Sequence, residues 1–174
     1  MPYGEELGEY KEKTPGVAKI DWSLIDDRND NSNWLNKQHL QFYKDLIHLR
    51  KSNLSLYTEN VEFLYENSED GLMLYYRWNG HEIKQGEHLI VLCNWSSKTY
   101  PINNETSLEI PNIPKNGKWY DWLNENQEYN VENNILKVDS LKDHQARIFI
   151  FDYKKDEQQA YDKSLTQKLQ EQQK

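Results

Sequence analysis

The spacing of apolar residues changes along this chain, and each change predicts a different element. From 37 to 51, "KQHLQFYKDLIHLRK", Leu40, Tyr43 and Ile47 form one row at intervals of three and four, and Phe42, Leu46 and Leu49 form the adjoining row. This predicts an amphipathic helix whose apolar face is broad enough to lie on a sheet. Asn36 stands where an N-cap belongs, Arg50 and Lys51 where the helix dipole favours positive charge, and Asn53 where a left-handed residue ends a helix. From 60 to 153 the period falls to two. Strands are expected at 61–66, 72–78, 88–95, 99–102, 107–110, 118–123, 128–131, 134–138 and 147–151, with turn chemistry at "SEDG", "NG" (twice) and "NENQ" between them. The unbroken run Leu89–Cys93 predicts a central strand covered on both faces, as in a two-layer sandwich. The fold expected is mainly β, antiparallel, with about eight strands.

The remaining segments lack a sustained period. Residues 1–36 are punctuated by Gly, Asn and Asp and read as a long irregular segment apart from the short "VAKIDWSLI". Residues 154–174 contain no Gly or Pro, and Tyr161, Leu165 and Leu169 form a thin stripe that does not stabilise a helix alone. Three sections follow: 1–58, an irregular segment and helix; 59–153, the β domain; and 154–174, a charged, Gln-rich tail.

Composition narrows the partners. At 174 residues there is room for one domain with attachments, and 6 Trp and 12 Tyr imply that aromatic rings fill much of the core. A net charge of −8, with no basic stripe or basic amphipathic helix, argues against nucleic acid and anionic membrane surfaces and leaves neutral partners such as sugars. Cys93, the single cysteine, sits in the apolar "LIVLCNW" and reads as a buried structural thiol. No metal or cofactor is expected, because the five histidines show no HxH, HExxH or Cys/His spacing. The pair Asp143–His144 has no GxSxG partner motif to make a triad.

Two motifs invite a carbohydrate reading. Glu5 and Glu6 suggest the paired acids of glycoside hydrolysis, but adjacent side chains of an extended segment point to opposite faces and do not converge across one bond. No residue of this chain is therefore expected to be catalytic. In "KWYDWLNE", Trp119 and Asp121 face one way on a strand, and Tyr120 and Trp122 the other, so one side fills the core and the other holds rings that either cover the sandwich edge or an interdomain seam or stack on a sugar face. The triplets at Asn53, Asn94 and Asn104 match the N-glycosylation pattern, which matters only for a secreted eukaryotic parent.

Taken in order, "YGEELGE", "IDW", "FYKDLIHLRKSNLSL" and the β domain resemble the C-terminal end of alpha-amylase family glycoside hydrolases. In that family a (β/α)8 barrel closes with a strand ending in a Tyr-Gly-x-Glu-like turn, followed by an outer helix with a Leu-Ile-x-Leu-Arg pattern and a Greek-key β-sandwich. Tyr3, Gly4 and Glu6 match the turn, and Leu46, Ile47, Leu49 and Arg50 match the helix. The resemblance spans residues 3–152. It implies that 1–58 is the last part of a barrel, that the missing barrel is a partner, and that Met1 is an internal methionine. It implies too that the family's catalytic Asp, Glu and Asp lie upstream of this chain. Glucan branching enzymes, trehalose-forming relatives and bacterial amylases resemble it alike. An α-glucan or oligosaccharide is then the expected ligand, with Tyr3, Glu6, Trp119 and Trp122 as its binding residues. A stand-alone starch-binding module that also uses Trp95 and Tyr120, and a catalytically silent interaction subunit, are the alternative readings.

Overall fold

The structure is a computed structural model and describes residues 4–8, 20–26, 34–80, 86–102 and 106–153. The chain divides into two compact units, Met1–Ser52 and Asn53–Lys174. The sequence readings at Tyr3, Asn104 and the 154–174 tail lie outside the described residues.

In the first unit a 3₁₀ turn, Glu5–Leu7, is bracketed by Gly4 and Gly8, both left-handed, so the two acids lie in a turn and not in the extended segment expected. A second 3₁₀ turn, Trp22–Ile25, is capped by Asp21, whose Oδ1 accepts from both the backbone N–H and the hydroxyl of Ser23. Helix α1 spans Trp34–Ser52. Asn36 is therefore inside the helix and is not its N-cap. Its amide donates instead to the Leu7 carbonyl at 2.6 Å, while His39 Nε2 lies 3.0 Å from the Glu5 carbonyl, so two helix side chains hold the turn. Of the six face residues, Leu49 is buried and Leu40, Tyr43 and Leu46 are half-buried, whereas Phe42 and Ile47 are exposed.

The second unit opens with a correction at Asn53. That residue is extended (φ −109, ψ 112), and its Oδ1 caps the 3₁₀ turn Leu54–Leu56 by accepting from the Ser55 N–H and hydroxyl. Among the described residues eight strands follow: β1 Val61–Asn67, β2 Leu72–Trp78, β3 His88–Asn94, β4 Leu108–Ile110, β5 Gly117–Asp121, β6 Gln127–Val131, β7 Leu136–Val138 and β8 Ala146–Phe151. One antiparallel sheet has the order β1-β2-β3-β8-β5-β6, and β4 pairs with β7 in a second, two-stranded sheet. Every residue of β3 is buried, in keeping with its unbroken apolar run and interior position.

The strand expected at 99–102 is reduced to a single bridge, in which Tyr100 and Leu141 exchange main-chain hydrogen bonds of 2.8 and 2.9 Å. Pro101 has no N–H with which to extend that ladder. The other expected strands are present with ends displaced by at most two residues.

The core forms from alternate residues. Leu72, Leu74 and Tyr76 of β2, Ile90 and Leu92 of β3, Trp119 of β5 and Phe149 of β8 pack with Ile110, Leu136 and Val138 of the smaller sheet. Such period-two burial is what makes the two sheets a sandwich-like pair. On the other parity of β3 lies Cys93, buried, with its thiol pushed above the usual range by that burial.

Candidate functional site

The turns at one end of the large sheet are tied together by main-chain and side-chain hydrogen bonds. Trp95 N–H donates to the Gly71 carbonyl at 2.7 Å, and His144 N–H to the Ser96 carbonyl at 3.2 Å. Asn94, buried, is the hub: its amide donates to the carbonyls of Lys98 and Lys142, both at 2.7 Å, and its Oδ1 accepts from the Ser96 N–H and hydroxyl. These bonds fix the segment before β8 against the loop after β3. Trp95 stands on this end 65% exposed.

Beside that hub, a cleft of about 210 Å³ opens between the turn after β5 and the segment leading into β8. Its floor is Asp121 and Arg147, and its rim carries Leu123, Asn124, Asp139, Ser140, Lys142 and Gln145. Strand alternation explains the floor. Asp121 follows Trp119 by two on β5 and Arg147 precedes Phe149 by two on β8, so both share the parity of core residues. Arg147 Nε donates to Asp121 Oδ2 at 2.6 Å, and its Nη1 donates to the Ser140 carbonyl at 2.8 Å and to Asp139 Oδ1 at 3.3 Å. Its Nη2 donates to the Tyr129 hydroxyl, which donates in turn to Asp139 Oδ1 at 2.7 Å. The guanidinium also lies over the rings of Tyr129 and Phe149, at 4.9 and 5.3 Å.

The electrostatics favour the charged forms of Arg147 and Asp139. Burial alone would lower the Arg147 pKa, but the hydrogen bond to Tyr129 and the attraction of Asp121 outweigh it and raise the value above the ordinary one. Burial likewise acts to raise the Asp139 carboxyl, and the hydrogen bonds from Tyr129 and Arg147 hold it lower. The Tyr129 hydroxyl is raised, first by burial. The described side chains around this floor present carboxylates, a guanidinium, amides and the Ser140 hydroxyl to one cleft. Among the described residues, no three His, Cys, Asp or Glu side chains gather as a metal site would require.

The expected binding residues are dispersed. Glu6 is half-buried in the turn of the first unit. Trp119 is fully buried, with its indole N–H donating to the Lys115 carbonyl at 3.0 Å and its ring packed against Phe151. It has no face left for a sugar, which corrects its assignment as a binding residue. Trp122 is half-exposed just after β5, and Tyr120 is tied through its hydroxyl to Glu128 at 3.2 Å. None of these lines the cleft. The residues that do were signalled by one feature of the pattern: a charged residue at a core parity in each of two strands, Asp121 in "KWYDW" and Arg147 in "RIFIF".

No family model and no curated protein matches the chain. Solved structures do. AmyP in complex with maltose superposes with a TM-score of 0.61 at 17% identity, over 86% of this chain and 30% of that one. A variant of AmyP in complex with maltotriose gives the same TM-score and identity, over 31% of its length. An Anoxybacillus alpha-amylase described as a new glycosyl hydrolase subclass gives 0.51 at 22% identity, over 72% of this chain and 24% of that one. The chain thus spans less than a third of these proteins, and the likeness is one of fold.

Proposed function

We propose that this chain is the C-terminal part of an alpha-amylase family protein acting on α-glucans, and that it is not catalytic by itself. On this reading 1–58 is the end of the last β/α unit of a (β/α)8 barrel, 59–153 is a Greek-key sandwich, and the barrel is the partner for the exposed apolar residues of α1. The observation that carries the proposal is the superposition on AmyP, which takes in 86% of this chain and 30% of that one. The family resemblance of the "YGEELGE" turn and the Leu-Ile-x-Leu-Arg helix supports it. The test is an assay of the purified chain for reducing ends released from amylose. None are expected; hydrolysis abolished by Glu6→Gln would overturn the non-catalytic reading. An in-frame barrel coding region immediately upstream in the genomic DNA is the second expected result, and a promoter with an upstream stop codon would refute the parent-enzyme reading.

The exposed Trp95 and half-exposed Trp122 favour a second reading, a glycan-binding role for the β domain. Retention of the chain on insoluble starch, reduced by Trp122→Ala, is the expected outcome.

A further inference from the structure

We infer that the cleft floored by Asp121 and Arg147 is a binding subsite for one neutral, hydroxyl-bearing sugar ring. The inference rests on the glycan-binding reading above and gives it a location that none of the tryptophans provides.

Charge comes first. Two carboxylates, Asp121 and Asp139, and two cations, Lys142 and Arg147, line the cleft together. An anion would meet both carboxylates, and Arg147 has little to offer it, since four of its five N–H donors are engaged by Asp121, Asp139, Ser140 and Tyr129. A cation would meet Lys142 and Arg147. A neutral ligand with hydroxyl groups meets neither penalty.

The unspent hydrogen-bonding groups then match such a ligand. The Asn124 amide donates to Gln127 at 2.6 Å, leaving its Oδ1 as an acceptor. Gln145 Oε1 accepts from the Lys142 N–H at 2.7 Å, leaving its amide as a donor. The Ser140 hydroxyl and the Lys142 ammonium have no partner among the described residues. Residues with a spare acceptor or donor thus line both sides of one cleft, matching a ligand with several hydroxyls, and Leu123 in the lining offers an apolar surface to ring C–H groups. At about 210 Å³ the cleft is smaller than the roughly 300–1,000 Å³ that encloses a drug-sized ligand, which suits a single ring at the end of a chain. The buried Arg147–Asp121 floor holds these groups in place without being consumed by the ligand.

The experiment is an NMR titration of the full chain with maltose, sodium sulfate and calcium chloride as separate probes. It reads the side-chain amides of Asn124 and Gln145, the Arg147 Nε–H, and the indole N–H groups. Saturable maltose shifts at the Asn124, Gln145 and Arg147 signals are expected, with binding about tenfold weaker in Gln145→Leu and in Ser140→Leu. The Trp119 indole reports that each variant keeps its core. Maltose shifts confined to the Trp95 and Trp122 indoles would overturn the cleft assignment and leave the glycan-binding reading standing. Sulfate or calcium shifts in place of maltose shifts would overturn the ligand class, and no maltose shift anywhere would overturn both readings.

Discussion

Arg147 and Asp121 meet across β8 and β5 at 2.6 Å, with side chains only 4% and 0% exposed. A pair so enclosed is costly to break from one side, because the survivor is left charged without its partner. Asp121→Ala is expected to destabilise the fold by about 3–5 kcal/mol, and Arg147→Met by a similar amount. The double variant Asp121→Ala/Arg147→Met should be less destabilised than the sum of the two, since neither charge of the pair then remains. Urea unfolding of the three variants checks this, and strictly additive losses would contradict a coupled pair.

A second buried group sets a pH window. His88 is fully buried between Tyr76, stacked at 5.8 Å, and Phe151, and its Nε2 lies 3.3 Å from Lys115 Nζ. Burial, with the Lys115 charge second, pushes its pKa down to about 4. The unfolded chain therefore binds a proton between about pH 6.5 and 4 that the folded chain refuses, so stability is full above that window and falls as pH drops through it. The loss amounts to about 3 kcal/mol at the bottom of the window. His88→Gln should flatten this slope in denaturant melts at pH 7.5 and 4.5; an unchanged slope would assign it to other groups.

Asn94 bonds to three loop positions, so its replacement should distinguish geometry from charge. Asn94→Ala is expected to cost about 2–4 kcal/mol by stranding the Lys98 and Lys142 carbonyls and the Ser96 donors. Asn94→Asp should cost more, because it aims an anionic oxygen at two carbonyl oxygens. Thermal melting of both variants tests the order.

Gly71 turns β1 into β2 at φ +68, and a β-carbon there would stand 3.0 Å from Ser96 N and Ser96 Cβ. Gly71→Ala is thus opposed by backbone conformation and by close contact, and should lose about 1–3 kcal/mol. Gly71→Ala with unchanged stability would show that the loop after β3 yields freely.

The expectations drawn from the pattern succeeded where alternation is uninterrupted and failed where a polar side chain has a distant partner. "LIVLCN" reads as a central strand because its neighbours bury both faces. Asn36 and Asn53 were misassigned because the Leu7 carbonyl, 29 residues from the first, and the Ser55 turn following the second claim their side chains. The triplets at Asn53 and Asn94 share a cause with Asp21-Trp22-Ser23: in each, a side-chain oxygen accepts from the N–H and hydroxyl of the serine two residues on. At both described asparagines the triplet carries this local turn chemistry. The cleft was half legible. Asp121 was placed on the Trp119 side of its strand, but its meeting with Arg147, 26 residues away, is a tertiary event that no local period encodes.

The position of β8 carries a consequence for how the chain is made. The last strand among the described residues lies in the middle of the sheet, between β3 and β5, which do not pair with each other. Until residues 146–151 leave the ribosome, β1-β2-β3 and β5-β6 are two separate pieces with open edges, one of them β3 with its apolar Leu89–Cys93 run. Joining them requires partners more than fifty residues apart, Leu89 with Ile150 among them, a slow kind of closure. A nascent chain halted before Ala146 would thus present the open edge of a largely apolar strand to its surroundings and should be a preferred client of ribosome-associated chaperones.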